Sequence, residues 1–441
     1  MPKGDWYYMR SLFLLDDKAG VLNLKEKILY VLVVLFFATL YMPHIVTIPN
    51  IILGLIALLS FFYNSWREKA RLLRQRTEVI LIILFYLVHI VSAFLSKNRT
   101  EGFTDLGMRL PLLAFPVIFG WMYIRQALKE RILYAYALIT VLVVLFCIIY
   151  GLIQYYNTDN AGLLYNDSLT VIIDKQSVYI AMMVNLAIFS FAYLMNIQSH
   201  LIVKRATVYV GMFILLVANF LLASRIGITI LYTSVIGYAV YYMVKEKKVL
   251  LGLALVTGLL IGAFLLVKLF PKTVNRFKEL TYTKFDFKNQ GPESHYNMDV
   301  TADQWNGANV RLAVWTCGWD LVEQHPVFGV PLGDKMDKLL EMYADRKFGF
   351  AIERRRNLHN NYLDVLVTFG FTGLLLFLAG FIVIPFVKCA RTRDFFGCIV
   401  ILAFAISLVP ETYMDRSIGN ILLSFFIAFI ISYRKPAEQH G

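Results

Sequence analysis

The residue whose type and position best suit proton chemistry is His359, in the run NLHNNYLD at the end of a long polar segment. An apolar stretch follows at once, so His359 should lie at a membrane surface beside the N-terminus of a spanning helix. The positive end of a helix dipole disfavours an imidazolium. His359 is therefore expected to stay neutral at pH 7 and to accept a proton, or alternatively to cap the interface with Asn360. Glu411 and Asp415 could orient such a base or an arginine, although no spacing supports them.

Three arginines beside apolar runs could bind anions. Arg225 lies in the very short turn SRIG between two apolar runs, Arg311 precedes Trp315 by one turn, and Arg109 stands just before another apolar run. A fixed guanidinium binds phosphate oxygens bidentately. Each of these arginines also suits an interface anchor or an ion pair, so residue type alone leaves both readings open.

The composition indicates which class of protein positions these residues. Of 441 residues, 59% are hydrophobic and 17% are charged, whereas soluble chains carry about 45–50% and about 25%. The net charge of +13 would suggest nucleic acid only if the basic residues shared one soluble face, and here they are scattered between apolar runs. The four cysteines are far apart and predict neither a disulfide framework nor a cysteine zinc site. These features indicate a membrane protein.

Twelve apolar runs predict spanning helices, and hence an all-α polytopic membrane protein with one large extracytoplasmic loop containing short helices. Only Pro43 and His44 separate the first two runs, so a re-entrant or tilted hairpin is an alternative there. The predicted spans are residues 28–43, 45–63, 78–96, 110–124, 132–153, 176–197, 206–223, 226–244, 249–269, 361–387, 394–410 and 417–433.

The distribution of Lys and Arg predicts the orientation. Alternate loops and the two termini hold 23 of these residues and the opposite short loops hold 6, which puts both termini in the cytoplasm. No cleaved signal peptide is predicted at the N-terminus. The expected organisation is spans one to nine in residues 1–269, a large outward loop in 270–360, and the last three spans with a cytoplasmic tail in 361–441.

Two short helices are expected in the outward loop. The first, about Ala308–Gln324, places Trp315 and Trp319 at helical spacing, and the second, about Asp334–Asp345, has Asp334 as its N-cap. The turn-rich run HPVFGVPLGD separates them. A loop of this length is usually functional.

Several chemistries have no motif in this chain. HExxH, a P-loop, GxSxG and an outward Asp-x-Asp pair are all missing, so neither metal nor cofactor is expected. A transfer reaction on the outer side would need a donor that arrives already activated. A lipid-linked diphosphate sugar meets that need, with arginine instead of a metal holding the diphosphate.

Three segments together resemble the O-antigen ligase and polymerase superfamily. They are SRIGITILYTSVIGYAV, NVRLAVWTCGWDLVEQHPVFGVPLGD and NLHNNYLDVLVTFGFTGLLLFL. They occur in the family's order, across roughly residues 224–378, and the earlier spans fit in number and topology. The resemblance implies an enzyme of the bacterial inner membrane that joins a lipid-carried glycan to an acceptor on the outer face.

The resemblance also implies roles for single residues. Arg225, Arg311 and His359 match the family's arginine after a span, its arginine at the start of the loop helix and its histidine before the re-entering helix. His359 would deprotonate the acceptor hydroxyl, and Arg225 and Arg311 would stabilise the undecaprenyl diphosphate leaving group, with inversion at the anomeric carbon. Arg109 could add charge to the same surface.

The partners expected are the undecaprenyl diphosphate-linked glycan, membrane lipids and an acceptor, which is lipid A-core for a ligase or another lipid-linked glycan for a polymerase. Trp315, Trp319 and Asn360 could contact sugar rings, although core packing is an alternative for the tryptophans. A compact chain with one large loop favours the ligase. A transporter or flippase is a third reading, for which His89 is almost the only ionisable candidate within a span.

Overall fold

The structure is a computed structural model that describes residues 22–43, 47–202, 204–269, 274, 277–294 and 304–434. The two ends predicted to be cytoplasmic, residues 1–21 and 435–441, lie outside the described residues. The same holds for residues 44–46, between the first two predicted spans.

The described residues are helical and contain no strand, with one isolated bridge between Glu293 and Trp305. An all-α architecture is therefore confirmed. Up to residue 269, the α-helices of the described residues are α1 Leu24–Leu40, α2 Thr47–Tyr63, α3 Trp66–Gln75, α4 Thr77–Leu95, α5 Arg99–Met108, α6 Pro111–Gly120, α7 Gln126–Thr158, α8 Asn166–Leu169, α9 Ser177–Asn196, α10 Arg205–Leu221, α11 Arg225–Val244 and α12 Val249–Leu269. Those described after residue 304 are α13 Asn309–Gln324, α14 Lys335–Asp345, α15 Gly349–Glu353, α16 Asn361–Phe377, α17 Ile384–Arg391, α18 Phe395–Ser407 and α19 Ser417–Tyr433.

Six helical segments of the described chain are long and apolar enough to cross a membrane. They are Thr77–Leu95, Arg99–Gly120, Gln126–Thr158, Ser177–Asn196, Arg225–Val244 and Asn361–Arg391. A seventh candidate is the pair α2 and α3, bent by 106°, and α10, α18, α19 and residues 249–265 are shorter apolar helices. Multiple apolar helices are thus confirmed, and the count of twelve spans stays a prediction.

Two spans differ in extent from their predictions. The run 110–124 is only the second part of a segment that begins at Arg99, because Asn98 caps α5 by accepting from the Glu101 amide at 3.2 Å. The run 132–153 lies inside the longer α7. Polar residues that continue a helix past the apolar zone carry no hydropathy signal, which explains both differences.

The chain divides into two compact units. The first comprises residues 1–76, 117–227 and 428–441, and the second comprises 77–116 and 228–427. In the first unit, the buried guanidinium of Arg76 donates to four main-chain carbonyls, those of Phe119, Gly120, Met122 and Ser432. Such bonds satisfy carbonyls at helix ends that would otherwise lack a partner.

In the second unit, α13, α14 and α15 share one apolar core with the first part of α16. Trp305 is fully buried and its ring lies 5.0 Å from Phe348 and 5.2 Å from Phe350, measured between centroids. The two loop helices begin one residue after the predicted starts. Asp334 does not cap its own helix: its carboxylate accepts from the amides of Lys97 and Asn98 at 3.0 and 2.9 Å. It thereby ties α14 to α5.

Helix α16 is broken at Gly370, which has φ +61° and ψ −165°. The turn-rich run after α13 fills the break: Val330 N–H donates to Val367 O at 2.8 Å, and Phe371 N–H donates to Pro326 O at 2.9 Å. A broken apolar helix is stable only where other groups satisfy the freed backbone. The predicted continuous helix over 361–387 is therefore interrupted, because the loop supplies those partners.

Candidate active site

His359 occupies an unusual backbone position between the loop and α16. Its φ is +45°, in the left-handed region that non-glycine residues rarely adopt. The residues on each side are held: the Trp315 indole donates to Leu358 O at 2.7 Å, and the Asn360 side chain accepts from Leu363 N–H at 3.0 Å. Strained backbone of this kind often occurs at functional sites. The bond from the Trp315 indole and the Asn360 cap together fix the position of the His359 backbone.

The carboxylate of Glu411 lies close to both His359 and Arg311. Its Oε2 lies 3.8 Å from His359 Nδ1 and its Oε1 lies 3.5 Å from Arg311 Nη2. Burial alone would raise the pKa of Glu411, but the contact with His359 and the charge of Arg311 hold that pKa below its ordinary value. The carboxylate is therefore ionised and faces both groups. The side chains of His359 and Arg311 keep 29% and 21% of their surface exposed, which leaves each accessible to a ligand.

Arg311 is fixed at the first turn of α13. Its Nη1 donates to Gly307 O at 2.6 Å, while Nη2 faces Glu411. Two anchors on one guanidinium limit its rotation. A positioned guanidinium can bind phosphate oxygens without reorganising at the moment of reaction.

A largely apolar groove of about 670 Å³ lies against the same segment. Trp315, Trp319 and Asn360 all line it, so the three predicted sugar contacts do share one surface. Trp319 is 49% exposed and its indole donates to Glu323 at 2.9 Å. Trp315 is partly buried against the loop core, so this tryptophan both packs on the core and lines the groove. The remaining lining residues are Phe285, Leu312, Thr316, Asp320, Tyr362, Leu363, Leu366 and Leu374.

Arg109 lies elsewhere in the second unit. Its side chain is fully buried, with Nη2 at 3.1 Å from Asp415 and 3.6 Å from Asp364, and Nη1 at 3.4 Å from His89 Nε2. A guanidinium enclosed by two carboxylates has no free face for a diphosphate. The structure therefore favours an ion-pairing role for Arg109 over the predicted ligand contact.

Arg225 is the first residue of α11 and belongs to the first unit. The turn before it is tight: Ala223 has φ +48°. The first turn of α11 packs closely on α9, since Asn185 donates to Gly227 O at 2.9 Å and a Cβ at Gly227 would come within 2.7 Å of Ala181 Cβ. The helix start that carries Arg225 is therefore firmly held within its own unit.

The sequence contains little indication of the charged residues around the site. Sequence position suggests only an orienting role for Glu411 and Asp415, and Lys335 and Asp364 have no sequence signal. The one sequence cue is that two acidic residues stand in a short loop between apolar helices, where charge is costly unless paired. Among the described residues, no three His, Cys, Asp or Glu side chains are grouped so as to hold a metal ion.

The described residues define a helical, multi-pass membrane protein in which a histidine and an arginine share one carboxylate. Residues 210–378, less than half of the chain, match the family described as O-antigen ligase, and this match supports the O-antigen ligase superfamily. The resemblance seen in the sequence is confirmed. The matched range contains Arg225, Arg311 and His359 and ends before Glu411. The comparison with curated proteins found no match.

Proposed function

We propose that the protein is a membrane glycosyltransferase of the O-antigen ligase type. It transfers a glycan from undecaprenyl diphosphate to a hydroxyl of lipid A-core, without a metal and with inversion at the anomeric carbon. The observation that carries the proposal is the meeting of His359 and Arg311 at Glu411. A base and an anion-binding group held in one place are what attack on a diphosphate-activated sugar requires.

His359 acts as the general base. Because Nδ1 faces Glu411, Nε2 is the ring nitrogen that can take the acceptor proton. The oxygen then attacks the anomeric carbon, and the bond from that carbon to the diphosphate oxygen breaks. The Glu411 carboxylate orients the ring and stabilises the imidazolium that forms, as a buried carboxylate does beside other catalytic histidines.

Arg311 and Arg225 stabilise the leaving group. Negative charge grows on the diphosphate as the glycosidic bond breaks, and fixed guanidiniums neutralise it. For Arg311, the support is its double anchoring next to Glu411. For Arg225, the support is the match to the family's arginine, which lies within residues 210–378.

The proposed topology has twelve spans in the bacterial inner membrane, both termini in the cytoplasm and residues 270–360 outside. In intact cells, a membrane-impermeant maleimide should label Arg354→Cys, on the exposed end of α15, and should label Lys245→Cys only after permeabilisation. Labelling of the original chain sets the background, since Cys147, Cys317 and Cys389 are buried but Cys398 is partly exposed. Labelling of Arg354→Cys only after permeabilisation would remove the site from the outer face and contradict the proposal.

The glycolipids of a deletion strain test the function. A missing ligase leaves lipid A-core unmodified while lipid-linked polymer accumulates, and expression of the chain should restore polymer on lipid A-core. A missing polymerase instead leaves single repeats on the core. That result would make the chain a polymerase, whose acceptor is a second lipid-linked glycan. Transfer by purified protein should persist in EDTA, and activity that EDTA abolishes and a divalent ion restores would rule out the metal-free mechanism.

Arg225→Lys is expected to lower the rate of transfer by about 10- to 100-fold. An ammonium keeps the charge but lacks the planar fork that holds a diphosphate bidentately, so the cost should be below the roughly 10²- to 10³-fold typical of losing one such donor altogether. The measurement is initial rate in membranes carrying equal amounts of protein. Arg205→Lys is the matched control, since Arg205 is also the first residue of an apolar helix and is exposed. Equal activity of both variants would leave Arg225 as an interface anchor.

A further inference from the structure

Four charged residues of the second unit, three of them buried and Asp415 partly buried, form one cluster next to the candidate site. Lys335 Nζ donates to Asp364 Oδ1 and to Asp415 Oδ1, both at 2.8 Å. Arg109 Nη2 lies 3.1 Å from the same Asp415 oxygen and 3.6 Å from Asp364 Oδ2. The exposed fractions of these side chains are 6% for Lys335, 17% for Asp415, and 0% for both Arg109 and Asp364. Two cations and two anions therefore balance within a nearly dry volume.

Such a cluster is costly to assemble, because each charge loses its hydration. Burial alone would lower the pKa of Lys335, yet the two carboxylates raise it above the ordinary lysine value. Removing one charge would leave its partner buried and unpaired. The cluster thus holds α14 (Lys335), α16 (Asp364), the turn before α6 (Arg109) and the loop before α19 (Asp415) in one arrangement.

The cluster is connected to both sides of His359. Asp364 follows His359 by five residues, and Asn357, two residues before it, donates to Asp415 Oδ2 at 3.3 Å. The loop that carries Glu411 is bound to the same segment at two further points. Asn361 N–H donates to Leu408 O at 2.9 Å, and Asn361 Oδ1 accepts from Met414 N–H at 3.1 Å.

We propose that Lys335 and Asp415 are positioning residues that hold the Glu411 loop against His359. Glu411 lies between Leu408 and Met414, so a loop fastened to Asn361 at these two points presents the carboxylate to the imidazole. Asp415 fastens the far end of the loop, and Lys335 and Arg109 hold Asp415. Neither Lys335 nor Asp415 contacts substrate in this scheme. The proposal rests on the proposed function for its kinetic test but has a second test that needs no activity.

The kinetic test uses purified full-length protein with a lipid diphosphate-linked glycan as donor. Lys335→Met should lower kcat by about 100-fold, as small displacements of catalytic groups do, with the donor KM changed by less than about threefold. Lys335→Arg should keep most of kcat because it retains the cation between the carboxylates. The control is Lys338→Met, on the same helix, which removes only a surface pair with Glu341 and should leave kcat unchanged.

A double variant separates positioning from stability. Lys335→Met with Asp415→Asn removes one charge of each sign and leaves Arg109 paired with Asp364, so thermal stability should return toward that of the original chain. The reduced kcat should remain, because the loop has lost its ionic fastening. Recovery of kcat together with stability would overturn the proposal, as would a raised donor KM with unchanged kcat.

Chemical modification gives the readout that does not depend on transfer. Carbethoxylation of His359 by diethyl pyrocarbonate, quantified by peptide mass spectrometry, should be several-fold slower in the double variant, because Nε2 is the nitrogen that reacts and its basicity falls when Glu411 no longer faces Nδ1. His325, exposed at the end of α13, should react at the same rate in both proteins. An unchanged rate at His359 would overturn the positioning role, whereas inactivity of the original chain would instead count against the proposed function.

Discussion

Replacing His359 with alanine should lower the rate of glycan transfer by about 10²- to 10⁴-fold, the usual cost of losing a general base. Donor binding should stay largely intact, because the base acts on the acceptor proton while the arginines hold the diphosphate. Single-turnover transfer by the purified variant measures the first quantity. The Kd of the lipid diphosphate-linked donor measures the second.

His325→Ala is the matched control for this experiment. His325 belongs to the same loop region but is exposed and lies at the end of α13, so its loss should leave transfer unchanged. A His359→Ala variant with transfer near the original rate would make His359 an interfacial cap, the alternative that its sequence position allowed. If His359→Ala instead failed to bind donor, the role of His359 would be donor binding and not that of a general base.

Two local facts made His359 a candidate base or interfacial cap in the sequence, and the family resemblance favoured the base, a role that stays a prediction. A histidine at the boundary between a polar segment and an apolar run is placed by hydropathy alone, and an N-terminal cap is recognisable in the adjacent asparagines. The left-handed backbone of His359 has no such signal. It depends on the bond from the Trp315 indole to Leu358 O, whose two ends are far apart in the chain.

The environments of Glu411 and Arg109 could not be predicted from local features of the sequence. An arginine beside an apolar run looks alike whether it anchors to headgroups, binds a ligand or enters a buried ion pair. Only Asp364 and Asp415, from two other segments, decide that Arg109 is enclosed. Glu411 likewise gains its place from loop contacts to Asn361. Charge pairing between distant segments is a tertiary property, so hydropathy and spacing cannot supply it.

The fold shows the same division between local and tertiary information. Apolar runs predicted an all-helical chain, since an isolated backbone in hydrocarbon must satisfy its own hydrogen bonds. The break in α16 was not predicted, because Gly370 in the run VTFGFTG is compatible with a continuous apolar helix. What breaks the helix is the run HPVFGV, which supplies backbone partners to the freed groups. Both segments of that contact contain a glycine with positive φ, Gly329 at +67° and Gly370 at +61°.

Gly370→Ala should therefore be among the most damaging single changes in the chain. A Cβ at this position would come within 2.3 Å of both C and O of Val327, and the φ of +61° is itself unfavourable for alanine. Positive φ and overpacking each cost about 1–3 kcal/mol, so the combined loss should reach about 3 kcal/mol or more. Thermal unfolding of the purified protein in detergent, together with the yield of folded protein, measures the effect.

Gly258→Ala is the matched control, because it makes the same chemical change within α12, where a Cβ would meet nothing within 4 Å. Alanine is the better helix former by up to about 1 kcal/mol, so this variant should be as stable as the original chain or slightly more so. If Gly370→Ala melted at the same temperature as Gly258→Ala, the close approach of the loop to α16 would not exist in the folded protein. The loop continues from Gly329 to Asp334 and Lys335, so separating it from α16 should also weaken the bond from Lys335 to Asp364. Loss of activity at temperatures where Gly370→Ala remains folded is the result expected from that connection.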